Sequence, residues 1–205
     1  MLWMYTTEGR KDFSPKDIQI EEKELDFICD MGCNFIRLPI DYRFFVQDFN
    51  YGNSNEKMLK VLDSCVESII SRGLHCSLNI HRAPGYCING AETERHNLWK
   101  DKEAQDEFVR LWKDFAIRYS NYNENQLSFD LLNEPPNINQ YGMTRETHKS
   151  IMERVISSIK SVDSKRTIII DGLGGGNLAI PEMAKSGVIH STRGYQPMAL
   201  THYEA

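Results

Sequence analysis

The feature that most limits the fold is an alternation of two kinds of segment. Short apolar runs recur as "NFIRLPI" (34–40), "LHCSLNI" (74–80), "LSFDLL" (127–132), "TIIID" (167–171) and the less regular "YQPMALTHY" (195–203). Their length, about four to eight residues, and their β-branched and aromatic content predict strands. They are apolar nearly throughout rather than at every second position, as in parallel strands buried on both faces. Between them lie segments with helical periodicity. Residues 102–120 place Phe108, Leu111, Trp112, Phe115, Ala116 and Tyr119 at steps of three and four, and 144–162 do so with Ile151, Val155, Ile159 and Val162. A third helix is predicted over 56–72, stopping at Gly73, and an earlier one carries Leu25, Ile28 and Cys29 and ends at Gly32. Strand, helix, strand, helix is the order of an α/β protein with a mainly parallel sheet.

Two architectures fit that order. A doubly wound sheet should carry a glycine-rich phosphate turn after its first strand. The glycine-rich "DGLGGGN" (171–177) instead follows a late strand and lacks the G-x-G-x-x-G order, so it reads as a flexible turn. A (β/α)₈ barrel gathers its active site at the C-terminal strand ends. Polar residues cluster at those ends here: Arg37, His81, Arg82, Asn133, Glu134, Asp171, His202 and Tyr203. The barrel is therefore expected.

The remaining composition excludes several classes. A net charge of −5 over 205 residues, with no long run of like charges, argues against a nucleic-acid partner. No apolar stretch approaches the ~20 residues of a membrane span. Five cysteines without a C-x-x-C pair read as reduced packing thiols, and no metal or cofactor is implied. A site built from His75, His81 and His202 would need residues from opposite ends of one strand.

"FDLLNEPPN" (129–137) carries the sharpest chemical signal. An apolar strand stops at an amide, a carboxylate and two prolines, which permit neither further strand nor helix. A carboxylic acid in a partly dry pocket has a raised pKa and can protonate a leaving oxygen, then deprotonate a water. The plain alternative is a turn whose glutamate caps a helix.

"FDLLNEP" resembles the acid/base signature of glycoside hydrolase family 5. "DMGCNFIRLPIDYRFF" (30–45), "LNIHRAPGYC" (78–87), "NLWKDKEAQDEFVRLWKDFAIRYSN" (97–121) and "MALTHYEA" (198–205) resemble further motifs of that family in the same order. The resemblance implies a retaining, cellulase-like glycosidase of the endo-β-1,4-glucanase type acting on β-linked oligo- or polysaccharides, with the 205 residues alone expected to be inactive. The alternatives are a non-catalytic carbohydrate-binding relative that lacks the nucleophile, or a mannanase- or xylanase-type glycosidase. It implies Glu134 as general acid/base, Asn133 as partner of the sugar 2-hydroxyl, and Arg37 as a fork that orients carboxylates. His81 would line the same subsite and Tyr203 would bond the nucleophile. Without the family, Arg37 reads as a surface ion pair and His81 as a structural histidine. Trp3, Tyr42, Phe44, Phe45, Tyr86 and Trp99 are candidate sugar platforms, with ordinary packing as the alternative for each.

Two departures stand out. Arg82 replaces the second histidine of the third-strand motif; guanidinium cannot shuttle a proton but could contact sugar hydroxyls. At the sixth strand, where the family carries His-x-Tyr, Thr201 stands two residues before Tyr203 and His202 lies between, so either Thr201 replaces the histidine or a bulge re-aims His202. A retaining enzyme also needs a second carboxylate, which the family takes from its seventh strand. The chain is expected to cover strands one to six of a partial barrel as one incomplete catalytic domain, with "LWMY" (2–5) as the end of strand one. Glu204 and Asp171 are weak candidates for the nucleophile. The family implies secretion, although the opening residues lack a signal-peptide pattern.

Overall fold

A computed structural model describes Ser14 and residues 21–89 and 94–202. The expected segment 2–5 lies outside these. Five strands form one sheet in sequence order, all neighbours parallel: β1 (Phe35–Asp41), β2 (His75–Arg82), β3 (Leu127–Asp130), β4 (Thr167–Asp171) and β5 (Ile189–Ser191). Helix α1 (Glu22–Asp30) precedes β1. Helices α2 (Glu56–Ser71), α3 (Lys102–Arg118) and α4 (Arg145–Lys160) fill the first three crossovers. Sequential parallel neighbours joined by helices make an arc of a (β/α)₈ barrel.

Local chemistry sets the helix ends. Asn55 accepts from the backbone N–H of Lys57 and Met58, and Thr144 from that of Thr147, so each side chain satisfies orphan donors at a helix start. Gly73 follows α2 at φ +75°, where a side chain would be strained.

The strands sort their residues by alternation. In β3, the Phe129 ring lies tilted at 5.0 Å from that of Trp112 of α3, whose indole N–H donates to the carbonyl of Leu131. These residues join Leu38, Leu78, Leu62, Phe108, Phe115 and Val155 in one core between sheet and helices. Each such side chain contributes about 1.5–3 kcal/mol over leaving it exposed. Ser128 and Asp130 take the alternate positions of β3 and are also buried, so the inner face of the arc is polar.

One expected strand is misplaced. Of that segment, residues 195–202 are described and do not pair with the sheet; Met198–Thr201 is a helical turn. The strand beside β4 is the three-residue β5, which follows Val188. Pro197 has no N–H for a ladder, whereas Val188 and Ile189 are β-branched.

Candidate active site

The backbone beyond β3 stays extended and bonds both flanking strands. Leu131 donates to Ile169 of β4 (3.0 Å) and Asn133 donates to Ile80 of β2 (3.1 Å). Asn133 and Glu134 thus emerge at the C-terminal rim of the arc. Glu134 has φ +47°, a left-handed conformation that costs a side-chain-bearing residue energy and persists only when the surroundings enforce it. Four hydrogen bonds do so. The Glu134 N–H donates to Asp171 Oδ2 (2.9 Å) and its carbonyl accepts from the Tyr86 hydroxyl (2.7 Å). The carbonyls of Pro135 and Pro136 accept from Gly175 and Gly174, each at 3.0 Å. The prolines stop the strand and the glycine turn fastens them.

The glycine run is therefore a fitted corner, not a loose turn. Gly174 and Gly176 have positive φ, and a Cβ on them would lie 2.7 Å from Asn137 Oδ1 and 2.5 Å from Arg193 Cγ, respectively. Only glycine admits both the conformation and the close approach.

Charges interlock at the rim. Arg37 Nε donates to Asp130 Oδ2 (2.6 Å) and its Nη2 to Asn133 Oδ1 (3.0 Å). Arg193 Nε donates to Glu134 Oε1 (3.0 Å), its Nη2 to Asn133 Oδ1 (3.1 Å), and its Nη1 to Asp171 Oδ1 (3.1 Å); Nη2 also pairs with Asp171 Oδ2. The Tyr195 hydroxyl donates to Glu134 Oε1 (3.2 Å). Two guanidinium donors fix the Asn133 amide with its oxygen on the arginines. Its Nδ2 is then buried without a protein partner. An unpaired buried donor costs about 1–3 kcal/mol, so this amide has an unused hydrogen bond to give.

Burial raises the pKa of Asp130 to about 6, against the opposing pull of Arg37 and with a further push from nearby Asp171. His81 shifts the other way. Burial, then the positive charges of Arg37, Arg193 and Arg82, lower its pKa to about 3, so its ring is neutral at ordinary pH. The Asn79 amide donates to the Asp130 carbonyl, which leaves Asn79 Oδ1 to accept from His81 Nδ1 at 3.2 Å. That network sets the tautomer.

The structure brings Arg37, His81, Asn133 and Glu134 into this one constellation. His202 is exposed at its margin, with its ring 5.1 Å from that of Tyr195, and Tyr203 lies outside the described residues. Arg82 does not face the rim. It is fully buried, donates to Glu94 (2.8 Å) and the Asn89 carbonyl (2.8 Å), and lies 3.4 Å from Asp41. Strand alternation turns it away from His81. Asp171 is fully buried and occupied by Arg193 and the Glu134 N–H, so it is presented to no substrate. Tyr42, Phe44, Phe45, Tyr86 and Trp99 are buried core; Trp3 is outside the described residues. His75 sits at the opposite end of β2, bonded to the Asn125 carbonyl and the Ser128 hydroxyl.

Arg193 and Tyr195 escaped the sequence reading. The β-branched "VI" before "HSTRGY" was their signal, since a strand at 189–191 puts both just past its C-terminal end.

Comparison with known proteins agrees with this geometry. A family model described as cellulase (glycosyl hydrolase family 5) matches residues 6–199. The chain is 31% identical over 196 residues to Endoglucanase C of Acetivibrio thermocellus, covering 92% of this chain and 54% of that protein. A crystal structure of a glycoside hydrolase superposes with TM-score 0.91 at 52% identity, over 100% of this chain and 61% of that one. Cel5A of Thermotoga maritima, solved in complex with cellobiose, superposes with TM-score 0.72 at 28% identity, over 92% and 57%; it was also solved in complex with mannotriose. The chain thus spans about half the length of the curated relatives it matches.

Proposed function

We propose that this chain, which belongs to the cellulase family, glycosyl hydrolase family 5, supplies the acid/base half of a retaining hydrolase of β-linked glycans. The observation that carries the reading is the corner at Asn133–Glu134. A carboxyl group stands at a barrel strand end, 16% exposed, beside a buried amide with a donor to spare. Glu134 protonates the glycosidic oxygen as the bond to the anomeric carbon breaks, then takes a proton from the water that attacks next. Asn133 Nδ2 donates to a sugar hydroxyl, a bond that strengthens as the ring gains positive charge.

Double displacement needs a second carboxylate about 5–5.5 Å from the acid. Asp130 and Asp171, the carboxylates of the same network, are both buried and ion-paired. We infer that the nucleophile is a different carboxylate. Relatives named as endoglucanases and a neighbour bound to cellobiose favour a β-1,4-glucan; the mannotriose complex puts mannan next.

The test is hydrolysis by the protein purified from its source, on soluble β-glucan, mannan and xylan. Release of reducing ends whose first-formed anomer is β is expected. Glu134→Gln should lower turnover by about 10²–10⁴-fold with the melting temperature unchanged. No release from any of the three polymers, or release indifferent to Glu134→Gln, overturns the reading.

A further inference from the structure

Glu134 is held by more than its own strand. Asp171 ends β4 and accepts the Glu134 backbone N–H, and the glycine turn that follows it fastens Pro135 and Pro136. Arg193 lies just past β5, and its guanidinium bonds acceptors on four residues: Glu134 Oε1, Asn133 Oδ1, the Ser191 hydroxyl and both oxygens of Asp171. The turn is shaped around it. The Arg193 N–H donates to the Gly176 carbonyl (3.1 Å), and a Cβ on Gly176 would strike the Arg193 side chain. A planar fork bonded at Nε and both Nη atoms fixes the angle between its acceptors as well as their distance.

We propose that Arg193 and Asp171 act together as positioning residues, aiming the Glu134 carboxyl and the Asn133 amide at one substrate atom set. Asp171 fixes the backbone of Glu134 and anchors Arg193. Arg193 fixes the carboxyl rotamer and, together with Arg37, holds Asn133 Oδ1, so that the buried Asn133 Nδ2 is the amide atom left with a hydrogen bond to give. Neither residue transfers a proton. The catalytic meaning rests on the glycosidase reading, but the geometry can be tested without turnover.

The experiment is a proton–nitrogen NMR spectrum of the arginine Nε–H and asparagine Nδ2–H₂ groups in the full 205-residue chain. A separate, slowly exchanging Arg193 Nε–H signal is expected. Its assignment comes from its loss in Arg193→Lys or, where that variant does not fold, through bonds from the Arg193 backbone. In Glu134→Gln the signal should shift, because a neutral amide oxygen replaces a carboxylate. The exposed-helix control Glu146→Gln should leave it in place. An Arg193 signal unchanged by Glu134→Gln, or one merged with solvent-exposed arginines, overturns the proposal.

In the hydrolase, Arg193→Lys should lower kcat/KM on an unactivated oligosaccharide by about 10²-fold, the scale of misplacing a catalytic group by about 1 Å. It should largely spare kcat/KM on a dinitrophenyl glycoside, which reports bond cleavage with a leaving group that needs no proton and not the later base-assisted attack of water. Equal losses on both substrates overturn the positioning role. A wild-type protein that cleaves neither refutes the glycosidase reading, and the spectrum still decides the geometry.

Discussion

Two clusters of arginine and carboxylate flank the C-terminal end of β2, and they differ in what they leave undone. In the first, Arg82, Asp41, Arg43 and Glu94 are withdrawn from water: the side chains of Arg82 and Asp41 are 0% exposed and that of Glu94 is 1%. Arg43 grips Asp41 at 2.7 Å, Arg82 bridges Asp41 to Glu94, and Glu94 also accepts from the Tyr42 hydroxyl and the Gly85 N–H. Both Glu94 oxygens are used, and Arg82 ties Glu94 and the Asn89 carbonyl to the strand. In the second, Arg37, Asp130, Asn133, Glu134, Asp171 and Arg193 use the same residue types, yet Arg37 is 31% exposed and Glu134 16%. Asn133 Nδ2 and Asp130 Oδ1 have no protein partner. Charge pairing alone does not mark a site. A paired network at the rim whose arginine and carboxylate stay partly open to solvent does.

The sharpest way to break that comparison is to remove one charge from the closed cluster. Glu94→Gln puts an amide NH₂ against either Arg82 or the Gly85 N–H, donor facing donor, and leaves Arg82 buried with less negative charge. Breaking a buried pair in this way costs about 3–5 kcal/mol. The urea midpoint should fall accordingly, whereas Glu134→Gln, in the open cluster, should leave it nearly unchanged. Equal stability losses in the two variants would show that the clusters are not different in kind.

Much of this was legible beforehand, for physical reasons that differ from element to element. Helices α2, α3 and α4 follow from apolar steps of three and four and from the stop at Gly73. Strands β1 to β4 follow from short apolar runs, because parallel strands buried on both faces need no alternation. Strand β5 was missed because three residues carry too little pattern. With it went Arg193 and Tyr195, whose place depends on which residue ends that strand. Arg37, His81, Asn133 and Glu134 could be placed together because strand ends are readable, but position alone gave Arg37 and His81 no role; that came from the family resemblance. The buried fate of Arg82 was not, because it depends on Glu94, twelve residues away in sequence. The glycine turn looked slack because sequence shows the missing side chains but not the neighbours that require their absence.

A smaller effect separates the clusters by pH. Asp130 has its pKa raised to about 6 by burial, above the ~3.9 of an unfolded chain. The folded state then binds the proton more tightly between those values. The stability that Asp130 contributes is fully present below about pH 4 and is lost as pH rises through about 6. Asp130→Asn removes this titration. The stability advantage of wild type over Asp130→Asn should therefore grow by about 1–3 kcal/mol as pH falls from 7 to 4. His81 works in the opposite sense, losing stability as pH falls below about 6.5, and burial also raises the pKa of Asp41. Both are present in either protein and cancel in the difference. Urea midpoints of the two proteins across that range make the check, and a difference independent of pH would remove Asp130 as a titrating member of the open cluster.

The smallest effect lies at the outermost member of the open cluster. Tyr195 is half-buried, its hydroxyl bonds Glu134 Oε1 at 3.2 Å, and its ring meets exposed His202 edge-on. Tyr195→Phe keeps the ring and deletes one of the two donors to that oxygen, leaving Arg193 Nε in place. One net hydrogen bond is worth about 0.5–1.5 kcal/mol, which corresponds to about a twofold to tenfold change in rate. Turnover of an unactivated glycan should fall by that factor with no change in the urea midpoint, because the freed carboxylate oxygen can take a water. A drop as large as that of Glu134→Gln would mean that Tyr195, not Arg193, holds the acid in place. No drop at all would put the tyrosine among the bystanders and leave the guanidinium as the sole side-chain constraint on Glu134.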